Sequence, residues 1–372
     1  MNKDSKIYIA GHNGTAGTAL VENLKKRGFN NLILKNRKEL DLTKQLAVDN
    51  FFKKEKPEYI FLAAVLPCGA ANVSQRADFI YENIMIQNNI IHCSYKYNAK
   101  KLIFFGSGYM YPENALNPLK EEYMLTNILE YNATSFGVAK ICGAIMCESY
   151  NLQYGTNFIT LAINNLYGTR ANFDFGKSRV LPALLRKFHL AKLLRNNDIE
   201  GILKDLNVND FNEARAYLNK FGINKEQVEI WGTGKVKREF LHSNDLADAA
   251  IYVMQNINFK DLHDKNERQV KNTHINIGTG IDYSIEEVAF LVKNIVGFDG
   301  DLYFNTNRPD SSMDRFMDCS KIHSLGWKHK IELEYGIKMM YEWYLNNYAG
   351  GGDYRKIAYS CLPCDVIFKE VA

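Results

Sequence analysis

The chain has 372 residues and a mass of 42.6 kDa, room for two domains or one large domain with a satellite at ~150 residues per domain. Hydrophobic residues make up 46% and charged residues 24%, which excludes a disordered or collagen-like chain, and no apolar run reaches the ~18 residues of a membrane span. The net charge of +4 is too thin and too dispersed to argue for nucleic acid or a membrane surface as partner.

Lys6–Ala10 reads as a buried strand, and Thr15–Arg27 as a helix with Leu20, Val21 and Leu24 at helical spacing. Leu32–Lys35 is a short second strand, Lys44–Lys54 a helix with a Val48, Phe51 and Phe52 face, and Tyr59–Ala64 a third strand. A long helix over Ala77–Tyr97 precedes a fourth strand, Leu102–Gly106. A second long helix, Glu130–Tyr154, leads into strand Asn157–Ile163. Near-continuous apolar strands separated by helices predict a parallel sheet covered on both faces. Beyond Tyr167 the rhythm breaks: Ala171–Val236 is irregular, then helical, and 193–225 reads as a polar helical surface insertion. Asn244–Gln255 is a helix, Thr273–Ile277 a strand and Ser284–Val296 a helix, and the tail 348–372 loses periodicity.

The turn after the first strand is Gly11-His12-Asn13-Gly14-Thr15-Ala16-Gly17, a GxxGxxG spacing. Glycine lets the backbone approach a pyrophosphate, and the next helix offers N–H donors and a positive dipole end. Placed between first strand and first helix, the motif points to a dinucleotide site; the bland alternative is a tight turn. Lys35-Asn36-Arg37-Lys38 follows the second strand where an NAD-binding fold would carry an acid. A guanidinium at Arg37 suits a 2′-phosphate and favours NADP over NAD, against a merely solvated basic turn.

GxxGxxG, the Leu62-Ala63-Ala64 strand end, Ser107 and a helix carrying Lys140 resemble an extended short-chain dehydrogenase/reductase. Longer stretches narrow the resemblance to the GDP-L-fucose synthase family: Asn36–Leu42, Ala77–Asn83, Asn165-Leu166-Tyr167-Gly168, Asn172-Phe173-Asp174, Trp231-Gly232-Thr233-Gly234 and Arg238-Glu239-Phe240-Leu241-His242. It covers residues 5–347 apart from the insertion. It implies a doubly wound Rossmann sheet, 1–167 with 238–256, and a smaller α/β substrate lobe, 168–237 with 257–347. It implies NADPH held by Gly11, His12, Gly14, Thr15, Ala16, Gly17, Arg37, Asp41, Leu42, Ala63, Ala64, Lys140 and Asn164, and no metal. Asn165, Arg179, Lys187, Trp231, Arg238 and Arg308 are implied to bind a GDP-linked 4-keto sugar, with Arg238 on the diphosphate. Read from the residues alone, Arg238 could instead pair with Glu239 or Asp245, and Trp231 could be core. The two long helices are implied to pack between subunits of a homodimer.

The chain departs from that family at three positions. The helix motif Tyr-x-x-x-Lys is here Phe136-Gly137-Val138-Ala139-Lys140, and phenylalanine has no proton to give. The epimerisation cysteine is replaced by Tyr109 in Gly106-Ser107-Gly108-Tyr109-Met110-Tyr111-Pro112, and its histidine partner by Arg179. A phenol near ~10 and a guanidinium above ~12 do not replace a thiol and an imidazole in epimerisation. The resulting expectation is a C4-ketoreductase of a GDP-4-keto-6-deoxy hexose or heptose for a surface polysaccharide. It would use Ser107, Tyr109 and Lys140 around Phe136, and depend on a separate upstream epimerase. Other readings stay open: Tyr109 as pocket wall with Ser107 or water as donor, an inactive NADP- and sugar-nucleotide-binding subunit, or the family's bifunctional reaction. The seven scattered cysteines fit reduced thiols in a cytoplasmic protein, and no signal-peptide core opens the chain. Cys361-Leu362-Pro363-Cys364 lacks a second pair for a metal, and Cys68 reads as a small buried thiol.

Overall fold

Successive residues of a strand point to opposite faces of its sheet, and the central strands here are apolar on both. Ile7 and Ile9 of β1 (Ile7–Ala10) join one core, and Tyr8 and Ala10 join another on the opposite face. In a computed structural model, which describes residues 1–66, 75–264, 266, 268–308, 310 and 315–349, this alternation places a parallel sheet between two helical layers. The Cys68 loop and the Cys361–Cys364 pair lie outside the described residues.

The elements of the first half are α1 (Thr15–Lys26), β2 (Leu32–Ile33), α2 (Gln45–Glu55), β3 (Tyr59–Leu62), α3 (Arg76–Lys96), β4 (Lys101–Phe105), α4 (Thr134–Tyr154), β5 (Phe158–Ile163) and β6 (Leu166–Tyr167). After them come α5 (Val180–Arg195), α6 (Ile199–Leu206), α7 (Phe211–Lys220), β7 (Gln227–Trp231), β8 (Lys237–Glu239), β9 (Leu241–His242) and α8 (Ser243–Asn256). The chain closes with β10 (Ile275–Ile277), β11 (Asp282–Ser284), α9 (Ile285–Val296), β12 (Asp301–Asn305), α10 (Ser320–Ser324) and α11 (Leu333–Asn347).

The main sheet runs β2-β1-β3-β4-β5-β10 with every pair parallel. Leu20, Leu24, Leu246 and Val253 of α1 and α8 cover one face, and Val48, Phe52, Ile90 and Cys147 of α2, α3 and α4 cover the other. Each fully buried Leu, Ile or Phe contributes roughly 1.5–3 kcal/mol. The expected doubly wound α/β class is therefore present. β2 is shorter than Leu32–Lys35, as an edge strand with a partner on one side only. The long helix expected from Glu130 begins at Thr134, after a 3₁₀ turn over Tyr131–Ala133.

A second core, around Phe173, Leu185, Phe188, Val228, Val292 and Ile337, gathers α5, α9, α11 and the paired strands β7 and β12. Two sequence expectations need correction. Segment 257–347 does not belong wholly to this lobe: β10 completes the main sheet, and Met317, Ile322 and Trp327 enter its core. Segment 193–225 is not a surface insertion, because Ile202, Ala214, Leu218 and Ile223 are fully buried in the second core. Asp198 and Asp210 cap α6 and α7 by accepting from Gly201 N at 2.8 Å and Glu213 N at 3.0 Å. Asp205 of α6, itself buried, accepts from Arg186 Nε at 2.9 Å and from the Tyr344 hydroxyl, tying α5, α6 and α11 together. The narrow apolar stripe Ala214/Leu218 is what made α7 look polar.

Candidate active site

The direction of strand order reverses between β1 and β3, the place where open α/β sheets leave a crevice beyond their carboxyl ends. Gly11 lies there with φ +83, and a Cβ on it would come within 2.6 Å of the Ala64 backbone. A Cβ on Gly17 would lie 2.1 Å from the Gly11 carbonyl oxygen. The turn is thus pressed onto Ala63 and Ala64, with Ala63 N donating to Ala10 O at 2.9 Å. Gly14 begins α1 without a side-chain cap, and no acid occupies the first turn. Backbone N–H groups and the positive dipole end are left for an anion.

Around this turn, Thr15 Oγ donates to Arg170 O at 3.3 Å, and Ala16 packs on the sheet core. His12 is buried, and desolvation lowers its pKa against the opposing charge of Glu39. Arg37 is exposed and ion-paired to Glu82 of α3 at 3.2 Å. Asp41 is turned to its own loop, accepting from Thr43 N at 3.0 Å and Thr43 Oγ at 2.8 Å, and Leu42 O accepts from Asn89 Nδ2 at 2.8 Å. A bare helix N-terminus with a guanidinium near the second strand fits a dinucleotide carrying an extra phosphate.

Phe136 and Lys140 lie one turn apart on α4, and both are buried. Lys140 Nζ donates to Phe105 O at 2.7 Å and lies 5.7 Å from the Phe136 ring centroid. Burial pushes its amine down to about 7. Ser107 follows β4, and its Oγ accepts from Tyr109 N at 3.3 Å at the start of a 3₁₀ turn over Gly108–Met110. The Tyr109 ring meets the Phe136 ring edge-on, 6.1 Å between centroids and 87° between planes. A Cβ on Gly137 would lie 2.4 Å from Tyr109 O, so a side chain there would lift the loop away. Ser107, Tyr109, Phe136 and Lys140 therefore form one cluster.

Sequence reasoning missed Arg315. It is buried, donates from Nη1 to Gly108 O at 3.2 Å, and its Cζ lies 5.8 Å from the Tyr109 ring centroid. Its carbonyl accepts from Asn164 Nδ2 at 3.0 Å, and its backbone bridges to Arg238. Arg238 itself is half-buried on β8, its Nη1 donating to Lys237 O at 2.6 Å. Glu239, fully buried, accepts from Thr279 N at 2.7 Å, Gly280 N at 2.8 Å and Met317 N at 3.0 Å; desolvation nevertheless pushes its carboxyl up to about 7. Asp245 likewise faces backbone, accepting from Ile331 N at 2.9 Å.

The remaining expected substrate residues divide. Trp231 is 55% exposed, not core, and the Arg308 guanidinium stacks over it at 5.0 Å. Lys187 is turned inward, donating to Glu229 O at 2.7 Å, with burial pushing its amine down to about 8. Arg179 is exposed at the N-cap of α5, and Asn165 O accepts from Leu241 N at 3.3 Å. Among the described residues, no group of three or more His, Cys, Asp or Glu could hold a metal, and no helix is long and apolar enough to cross a membrane.

Similarity to known proteins follows the same lines. A GDP-6-OMe-4-keto-L-xylo-heptose reductase from C. jejuni is 76% identical, with a TM-score of 0.90 over 93% of this chain and 99% of that one. A GDP-mannoheptose C4 reductase from Campylobacter jejuni, solved with NADP bound, is 74% identical with a TM-score of 0.85 over the same shares. GDP-L-fucose synthase 1 from Arabidopsis thaliana is 41% identical over 347 residues, 93% of this chain and 95% of that protein. Residues 7–278 match the NAD dependent epimerase/dehydratase family, and with that span containing both the glycine turn and the Ser107–Lys140 cluster, the chain belongs to this family.

Proposed function

We propose that the chain is an NADPH-dependent C4-ketoreductase of a GDP-linked 4-keto-6-deoxy sugar, a heptose in preference to a hexose, without C3 or C5 epimerase activity. The observation that carries this reading is the Ser107–Tyr109–Phe136–Lys140 cluster. It keeps a hydroxyl, a phenol and an amine at the end of β4 and on α4, and holds neither thiol nor imidazole at positions 109 and 179. The similarity to Campylobacter jejuni reductases of GDP-heptoses supports the heptose.

The Gly11–Gly17 turn and the start of α1 would hold the pyrophosphate, Arg37 the 2′-phosphate and Lys140 the nicotinamide ribose. NADPH, when bound, supplies the hydride. Ser107 holds the sugar ketone by donating to its oxygen. Tyr109 delivers the proton that this oxygen takes up as the carbonyl becomes an alcohol, from the loop after β4 rather than from α4. Phe136 fills the position of the family's phenol and keeps that side of the site dry. Arg179 puts a guanidinium, a donor with no acceptor nitrogen, where the family's epimerisation histidine would lie.

A separate upstream epimerase would set the ring stereochemistry. Tyr81, Ile145, Leu152 and Tyr154 leave apolar surface exposed on α3 and α4, which supports a homodimer through these helices. The scattered thiols support a cytoplasmic location in surface-polysaccharide synthesis. The test is NADPH absorbance on adding a panel of GDP-4-keto sugars, with a parallel incubation in D₂O lacking NADPH. Oxidation without deuterium at C3 or C5 is expected. Enzyme-dependent deuterium uptake would restore the bifunctional reaction, and NADPH binding without oxidation of any sugar would leave an inactive binding subunit.

A further inference from the structure

Arg315 carries a charge into a place where charge is costly. The residue is only 6% exposed, yet among the described residues Nε and Nη2 have no hydrogen-bond partner. Among the described residues its ion-pair partner is Glu130, with Oε2 at 3.7 Å from Nη2, an ion-pair distance and not a hydrogen bond. A guanidinium so placed costs free energy unless its field is used. The aromatic side chain it faces is Tyr109.

The backbone around Arg315 is held from several sides. Asn164 Nδ2 donates to its carbonyl, Phe316 N donates to Asn117 Oδ1 at 3.2 Å, and Met317 N donates to Glu239 at 3.0 Å. Close approach to the Tyr109 turn needs Gly108: a Cβ there would lie 2.8 Å from Asn164 Oδ1 and 3.3 Å from Met317 Cε. Gly108 and Tyr109 therefore act together with a distant arginine that the fold brings up behind them.

We propose that Arg315 is the positioning residue of Tyr109: it fixes the turn through the Gly108 carbonyl and lends the phenol a positive charge. The inference rests on the reading of Tyr109 as proton donor. A nearby cation favours the phenolate and so brings the phenol's proton closer to release at neutral pH. Lys140 is the cation that serves a helix phenol in the family, but here it loses its charge as pH rises through about 7. A guanidinium stays charged even when buried. Among the described residues, the charged groups of this cluster are Arg315 against the Tyr109 ring, Lys140 of α4 against the Phe136 ring and Glu130, before α4, against Arg315, with the Ser107 hydroxyl accepting from Tyr109 N. Glu130 opposes Arg315, which gives the inference a second sign to test.

Tyr109 can be titrated without substrate, by ultraviolet difference spectra of phenolate formation between each protein and its Tyr109→Phe counterpart. Arg315→Met should raise the midpoint by at least about one pH unit, and Arg315→Lys should restore part of it. Glu130→Gln, which leaves Arg315 in place and keeps the test open if Arg315→Met does not fold, should lower it. In turnover, the alkaline limb of kcat/KM should move with the same signs. Midpoints that do not move, or that move together in one direction, would overturn the inference. If Tyr109→Phe keeps both its kcat and its alkaline limb while the phenol midpoint still follows Arg315, the donor reading fails and the electrostatic coupling stands.

Discussion

Replacing Lys140 by methionine should make the protein more stable at low pH while weakening its hold on NADPH. The ammonium is buried, among the described residues with the Phe105 carbonyl as its one hydrogen-bond acceptor, and its proton affinity falls from the usual 10.5 to about 7. At ~1.4 kcal/mol per pH unit, keeping the charged form buried costs about 5 kcal/mol below pH ~7. Between about pH 7 and 10.5 the unfolded chain holds this proton and the folded chain does not, so stability rises with pH through that window. Methionine removes the cost but gives up one hydrogen bond and orphans the carbonyl, together about 2–3 kcal/mol. The variant should therefore gain roughly 2–3 kcal/mol at pH 6. At pH 9.5, where the wild-type lysine is mostly neutral, the cost removed shrinks to ~1.4 kcal/mol and the advantage should vanish or reverse. Urea unfolding of both proteins at the two pH values measures the change directly. An advantage of equal size at both, or a variant less stable at pH 6, would refute the reasoning that burial controls this lysine.

Arg37→Ala should weaken NADPH binding about tenfold and leave NADH unaffected, measured by cofactor fluorescence titration, because only NADPH offers a 2′-phosphate. Equal affinity of the wild type for both cofactors would remove Arg37 from the site. Tyr109→Phe should lower kcat by ~10²-fold or more at nearly unchanged NADPH affinity, and adding Phe136→Tyr should recover part of the loss. A single variant with wild-type kcat and rate-limiting chemistry would make the phenol a wall, with Ser107 or solvent as donor. Asp205→Ala should cost about 3–5 kcal/mol in urea unfolding by leaving Arg186 buried without its carboxylate; a loss below ~1 kcal/mol would mean that α6 does not brace the second lobe.

The strands and helices of the main sheet, the glycine turn and the exchanges at 109, 136 and 179 were all legible in sequence. Their signals are local. Alternation along Lys101–Phe105 places Ile103 and Leu102 on opposite faces, and the spacing of Phe136 and Lys140 puts both on one side of α4 whatever lies around them. What joins distant segments was not legible. β10 completes a sheet begun some 270 residues earlier, and strands as short as β6 and β9 exist only because they meet each other. Lys187 and Arg308 are both basic residues with the same apparent role, but packing turns one toward the Glu229 carbonyl and leaves the other over Trp231. Arg315 carries no motif of its own. Its importance comes from burial beside Tyr109, and burial of a charge is set by which backbones the whole fold brings together, a property no window of neighbouring residues contains.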